Sequence, residues 1–314
     1  MSVKRRSFVI GALAAGLSAG TAAGGAWAVG RKDEAGRRVV VYYQTQYNNG
    51  AYVSPLALTE HRTGVTDVLV AAVHLNDVNG PYAPVHLNDD PPSAAKYDRM
   101  WRDLKTMQGQ GVNVLAMVGG AAPGSHTRLD TEFDTYYPLL RDFLKTYGLN
   151  GVDLDVEEDM SLAGIERVID ALRADFGPHF LITLAPVGTA LSGGGNLSGF
   201  DYEQLYRDRG DDIAWFNAQF YNGWGSMADT RSYDDIIARG LVPEQKVVAG
   251  SLTDPGNGGS GYVDIATLKS TLGELVDRHP GFAGVAGWEY FNAQPGGTAA
   301  PWEWAAEVSH ALSG

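Results

Sequence analysis

Apolar, β-branched runs recur along this chain, with helix-period stretches between them. Eight runs have the length and composition of strands: residues 39–44, 67–74, 112–118, 149–155, 180–185, 214–221, 246–251 and 284–288. Several are apolar almost throughout, which suits parallel strands covered by helices. Between the fourth and fifth runs, Leu162, Ile165, Val168, Ile169, Leu172 and Phe176 form one helical stripe, and Gly177-Pro178 ends it. Further helices are predicted over residues 97–110, 131–147, 202–209, 232–238, 265–279 and 302–312. This alternation predicts one α/β domain over residues 37–314, a single (β/α)8 TIM barrel. The competing arrangement is an open doubly wound sheet. No G-x-G-x-x-G follows the first strand, so its dinucleotide-binding form has no support.

One strand breaks the apolar rule. In Gly151-Val152-Asp153-Leu154-Asp155-Val156-Glu157, acids and aliphatics alternate. A strand sends alternate side chains to opposite faces, so one face is all carboxylate and the other all aliphatic. Acids two residues apart stand roughly 6.6 Å from each other. Three carboxylates that close cannot all ionise cheaply, and a carboxyl held neutral is suited to donating a proton. In a barrel this face ends at the C-terminal mouth, where the chemistry lies. A second unusual strand places Trp215, Asn217, Gln219 and Tyr221 on one face and Phe216 and Phe220 on the other. Polar side chains are costly in a packed core but suit the lining of a site. Trp288, at the end of the eighth strand, offers a flat floor for a sugar ring.

Other uses of the acids fit less well. An ion-pair network would need basic partners from elsewhere in the chain, because none lies in or just after the strand. Calcium loops draw on Asp/Asn/Gly runs rather than on an aliphatic-alternating strand. Glu158 and Asp159 read as solvated loop acids. His74 and His86 lack the spacing of a metal site, and His126 has no nucleophile elbow around it.

The first residues read as a targeting segment. Lys4-Arg5-Arg6-Ser7-Phe8 precedes an apolar Ala/Gly-rich run and the small-x-small pattern Ala26-Trp27-Ala28. Residues 1–28 are therefore expected to be a signal peptide, of twin-arginine type, that directs a folded protein out of the cell. There are no cysteines, which excludes disulfides and thiolate chemistry. Residues 1–28 carry three basic and no acidic residues, so without them the formal charge falls from −13 to −16. That balance argues against nucleic acid and anionic membranes as partners.

These residues resemble the family-18 glycoside hydrolases. The family signature D-G-x-D-x-D-x-E is matched by Asn150-Gly151-Val152-Asp153-Leu154-Asp155-Val156-Glu157, departing only at Asn150. Val118-Gly119-Gly120 on strand three, Gln219-Phe220-Tyr221-Asn222 on strand six and Trp288 on strand eight match further motifs in the family's order. Segments 86–92, 119–125, 196–200 and 287–292 look like the secreted fungal endo-β-N-acetylglucosaminidases of that family. The resemblance implies substrate-assisted, retaining hydrolysis at the GlcNAc-β1,4-GlcNAc core of N-linked glycans, high-mannose glycans above all, with no cofactor and no metal. By that resemblance Glu157 is the acid, Asp155 orients the substrate acetamide and Asp153 backs Asp155. Tyr221 and Gln219 hold the acetamide, while Trp288, Asn222, Gly119, Gly120 and Tyr43 bind substrate. The protein is expected to act as a monomer on an N-linked glycoprotein or another GlcNAc-containing oligosaccharide. A chitinase with the same parts is the main alternative, and a non-catalytic sugar-binding protein the other.

Overall fold

The computed structural model describes residues 36–314, so the candidate export segment lies outside the described residues. Eight strands hydrogen-bond in parallel: β1 (Arg38–Tyr43), β2 (Asp67–Leu75), β3 (Asn113–Gly119), β4 (Gly151–Asp155), β5 (Leu181–Leu184), β6 (Trp215–Gln219), β7 (Val247–Leu252) and β8 (Gly284–Trp288). Each pairs with the next in the chain, and β8 pairs with β1, which closes the barrel. All eight expected strands are present, with ends displaced by no more than two residues.

The helices outside this ring are α1 (Asp98–Gly109), α2 (Ser125–Thr131), α3 (Phe133–Tyr147), α4 (Leu162–Phe176), α5 (Tyr202–Arg209), α6 (Arg231–Ala238), α7 (Ile265–Arg278) and α8 (Trp302–Leu312). Local chemistry sets several of their ends. Ser161 caps α4 by accepting from Gly164 N, and Asp201 and Asp264 cap α5 and α7 in the same way. Sequence reading missed α2, a short hairpin of Tyr47–Asn48 with Ala51–Tyr52, and the strand Val85–Leu87, which pairs antiparallel with β2. These pieces are too short for a periodic signal. Among the described residues no helix is long and apolar enough to cross a membrane.

Two apolar layers follow from the two faces of each strand. Residues such as Val39, Val41, Val68, Val114, Val152, Leu154 and Phe216 pack outward under the helices. Val40, Tyr42, Leu69, Leu115, Met117, Trp215 and Val248 fill the interior of the barrel. At its N-terminal end Arg38 lies 3.8 Å over the Trp215 ring and bonds to the fully buried Asp67 at 3.0 Å. That plug leaves the C-terminal mouth for ligand.

The two layers correct one expectation. Tyr43 is not at the mouth: it is fully buried in the outward layer, its hydroxyl donates to Val53 O at 2.6 Å, and its ring packs edge-on against Tyr290. Its neighbour Tyr42 points into the barrel instead. The β1 segment Arg-Val-Val-Val-Tyr-Tyr is apolar on both faces after its first residue, so hydrophobicity could not tell inside from outside.

Candidate active site

Asp153 is the deepest of the β4 acids and has no solvent exposure. Three strands supply donors to it: Tyr42 Oη from β1 at 2.9 Å, Thr183 Oγ1 from β5 at 2.5 Å and Asn217 Nδ2 from β6 at 3.0 Å. Trp215 Nε1 donates to Asn217 Oδ1 at 2.9 Å and so turns the amide's NH2 toward the acid. Burial pushes the Asp153 carboxyl up to about 6, against the pull of its three donors.

Asp155 lies one step nearer the mouth and is also buried. Burial comes first in raising its pKa well above the usual carboxylate range, and the nearby Glu157 and Asp153 charges push the same way. Asp155 is therefore held above the usual carboxylate range, while Asp153 behind it has three donors. Glu157 is half-buried at the cavity rim. Gln219 Nε2 lies 3.2 Å from Asp155 Oδ1, 3.1 Å from Glu157 Oε1 and 2.9 Å from Ala185 O, and so ties the two outer acids to β5.

These groups line a cavity of about 460 Å3 together with Gly120, Tyr221 and Trp288. Among the described residues the Tyr221 hydroxyl has no hydrogen-bond partner. Burial first, then the Asp155, Glu157 and Asp153 charges, raise its pKa well above the ordinary value, so it is a neutral phenol free to donate. Trp288 stands edge-on to Tyr42, with ring centroids 5.4 Å apart. Asn222 lines the same cavity, and its Oδ1 accepts from Gly259 N at 2.8 Å and Ser260 N at 3.2 Å, which holds the 257–261 loop at the rim.

The two glycines at the end of β3, Gly119 within it and Gly120 just after, are demanded by close approach. A Cβ on Gly119 would stand 2.3 Å from His126 Nε2 and 2.5 Å from Asp155 O. Gly120 donates its N–H to Asp155 O at 2.8 Å, and a Cβ there would stand 2.9 Å from Met117 Cε. Both have positive φ, where glycine is favoured. They let β3 turn away closely enough to bare Asp155 to the cavity.

Several participants escaped sequence reading. Tyr42 and Thr183 donate to Asp153, yet only barrel closure brings them to it. Glu289 is buried and accepts from Gln44 N at 3.1 Å and from Thr45 N and Oγ1 at 2.8 and 2.7 Å, which fixes the loop after β1. Glu158 is not a solvated loop acid: its carboxylate accepts from Gly124 N, His126 N and Thr127 Oγ1. Beside the cavity lies a larger one of about 640 Å3, sharing Gln44, His74 and Ala122 with it. It contains none of the β4 acids, so it extends the cleft rather than housing the chemistry.

The chain is 48% identical to a fungal endo-β-N-acetylglucosaminidase from glycosyl hydrolase family 18, with a TM-score of 0.82 over 87% of this chain and 97% of that one. It belongs to glycoside hydrolase family 18. The (β/α)8 barrel expected from the sequence is accordingly shown. The chitinase ChiC of Aspergillus fumigatus is similar too, at 50% identity and a TM-score of 0.79, covering 88% of this chain and 99% of that one. Chitinase 2 of Rhizopus oligosporus is 27% identical over 285 residues, 80% of this chain and 48% of its own length. The chain thus spans about half the length of that curated relative. No protein-family model matches the chain.

Proposed function

We propose that the protein is an endo-β-N-acetylglucosaminidase that cleaves the GlcNAc-β1,4-GlcNAc core of N-linked, high-mannose glycans. The observation that carries this reading is the set of polar groups gathered around Asp155. The Asp155 carboxyl, the Gln219 amide and the unpartnered Tyr221 phenol face one cavity over Trp288. In the reaction Glu157 gives its proton to the glycosidic oxygen as the C–O bond to the leaving sugar breaks. The carbonyl oxygen of the substrate's own acetamide bonds to the anomeric carbon and forms an oxazolinium ion. Asp155 accepts a hydrogen bond from the acetamide N–H while Asp153 backs it, and Tyr221 and Gln219 fix the group's orientation. Glu157 then takes a proton from the water that opens the ring, and the anomeric configuration is retained.

The connection between β7 and β8 supports a branched substrate. It holds only a loop, residues 253–264, and α7, so no extra domain walls the cleft there. The similarity to the fungal endo-β-N-acetylglucosaminidase supports the same choice. Chitin hydrolysis is the second reading, and the 50% identity to the Aspergillus chitinase favours it. We place the enzyme outside the cell, after removal of residues 1–28.

The mature protein is incubated with a high-mannose glycoprotein and, separately, with chitin, and the products are weighed by mass spectrometry. One GlcNAc left on each glycosylated asparagine is the expected result. Release of GlcNAc dimers from chitin with the glycoprotein untouched overturns the glycan assignment. Glu157→Gln is expected to lose about 10²- to 10⁴-fold in turnover while staying folded. Near-wild-type turnover on a natural substrate would refute the acid role.

A further inference from the structure

Glu157 sits beyond the last ladder residue of β4, and its own backbone is poorly anchored. Among the described residues neither its N–H nor its C=O has a hydrogen-bond partner. Its position is fixed by its two neighbours. On one side Val156 O accepts from Ser198 Oγ at 2.5 Å. On the other, Glu158 reaches across the top of β3. Its Oε2 accepts from Gly124 N and from Thr127 Oγ1, each at 2.7 Å, and its Oε1 accepts from His126 N at 2.8 Å.

We propose that Glu158 is a positioning residue for Glu157, clamping the end of β4 to the N-terminal turn of α2 so that the Glu157 carboxyl is held at one place on the cavity rim. Both oxygens are used, so the clamp resists twisting as well as translation. The clamp has a second attachment on the same helical turn: His126 is fully buried, and its Nε2 lies 3.1 Å from Val118 O and 3.1 Å from Asp155 O. Geometry at both of these carbonyls makes Nε2 the protonated nitrogen, with Nδ1 left buried and unpartnered. One short segment, residues 124–127, therefore grips the chain just before Glu157 and just after it. The loop leading into this turn contributes Ala121 and Ala122 to the cavity wall. Burial of Glu158 would raise its pKa, but the hydrogen bonds from Thr127, His126 and Gly124 pull it below the usual value, and the clamp stays charged in mild acid. Glu158 lines neither cavity.

This inference rests on Glu157 being the proton donor, and its test separates the two. In Glu158→Gln, either orientation of the amide turns an NH2 toward a donor, so part of the clamp opens without loss of volume. With a high-mannose glycopeptide, or chitotetraose if that is what the wild type cleaves, kcat should fall on the order of 10- to 100-fold, the scale of a misplacement near 1 Å. KM should stay within about twofold of the wild-type value. Thr127→Val, which removes one donor and leaves Glu158 intact, should give a smaller loss in kcat, and Thr127→Ser should restore it. Rates are expressed per folded site, with the folded fraction taken from circular dichroism. If Glu158→Gln fails to fold, the Thr127 pair decides. A kcat within twofold of wild type in the variant that folds, or a Thr127→Ser no better than Thr127→Val, overturns the clamp. If Glu157→Gln itself keeps wild-type turnover, both the acid assignment and the clamp are overturned. If it is inactive while Glu158→Gln turns over normally, only the clamp is.

Discussion

Removing the Tyr42 hydroxyl tests the charge arrangement beneath the cavity. In Tyr42→Phe the ring remains in the barrel interior and keeps its edge contact with Trp288, but Asp153 loses the donor at 2.9 Å. Asp153 is fully buried, so bulk water does not simply replace that donor. A hydrogen bond to a charged group contributes about 1.5–3 kcal/mol, and one pH unit corresponds to about 1.4 kcal/mol. The Asp153 carboxyl, already pushed up to about 6 by burial, should therefore rise by a further 1 to 2 pH units, roughly. The sign for stability follows. The native state holds the Asp153 proton more tightly than the unfolded chain, so its contribution weakens as pH climbs from about 4 to about 6 and is flat beyond. In the variant that decline should continue past neutrality. Urea unfolding at several pH values, alongside a pH–rate profile, reads both effects. The acid limb of the profile should move up by the same 1 to 2 pH units, about, if the Asp153 anion is needed. A profile and a stability curve that superimpose on the wild type would refute a charge-assisted bond between these two residues.

Two further outcomes follow from local geometry. Gly119→Ala places a methyl against His126 and the Asp155 carbonyl at positive φ, and should lower stability by about 2–5 kcal/mol, measured by chemical unfolding. Ser161→Ala removes the cap of α4 at a residue that lines neither cavity, and should cost about 1 kcal/mol while leaving kcat unchanged.

Much of this site was legible before any fold was known, because it is written in one strand. Asp153, Asp155 and Glu157 share a face through a period of two that needs only local backbone geometry. The same rule put Asn217, Gln219 and Tyr221 together, and the barrel then brought Asn217 to Asp153 and Gln219 to both outer acids. Where both faces of a strand are apolar the rule fails, as the exchange of Tyr43 for Tyr42 demonstrates.

Alternating acids, the eightfold order of strands and helices, and the glycine pair at the end of β3 were thus determined by the sequence alone, since each depends on neighbours in the chain. Tertiary structure decided how the surroundings of the acids differ. Asp153 and Asp155 sit on the same face with the same side chain, and differ because β1, β5 and β6 deliver three donors to one, while the other is left buried beside Glu157. It also turned Glu158 from a surface acid into a clamp, because its three donors lie 31 to 34 residues away along the chain. Burial and long-range donors set the energy of a buried charge, and neither can be read from the residues beside it.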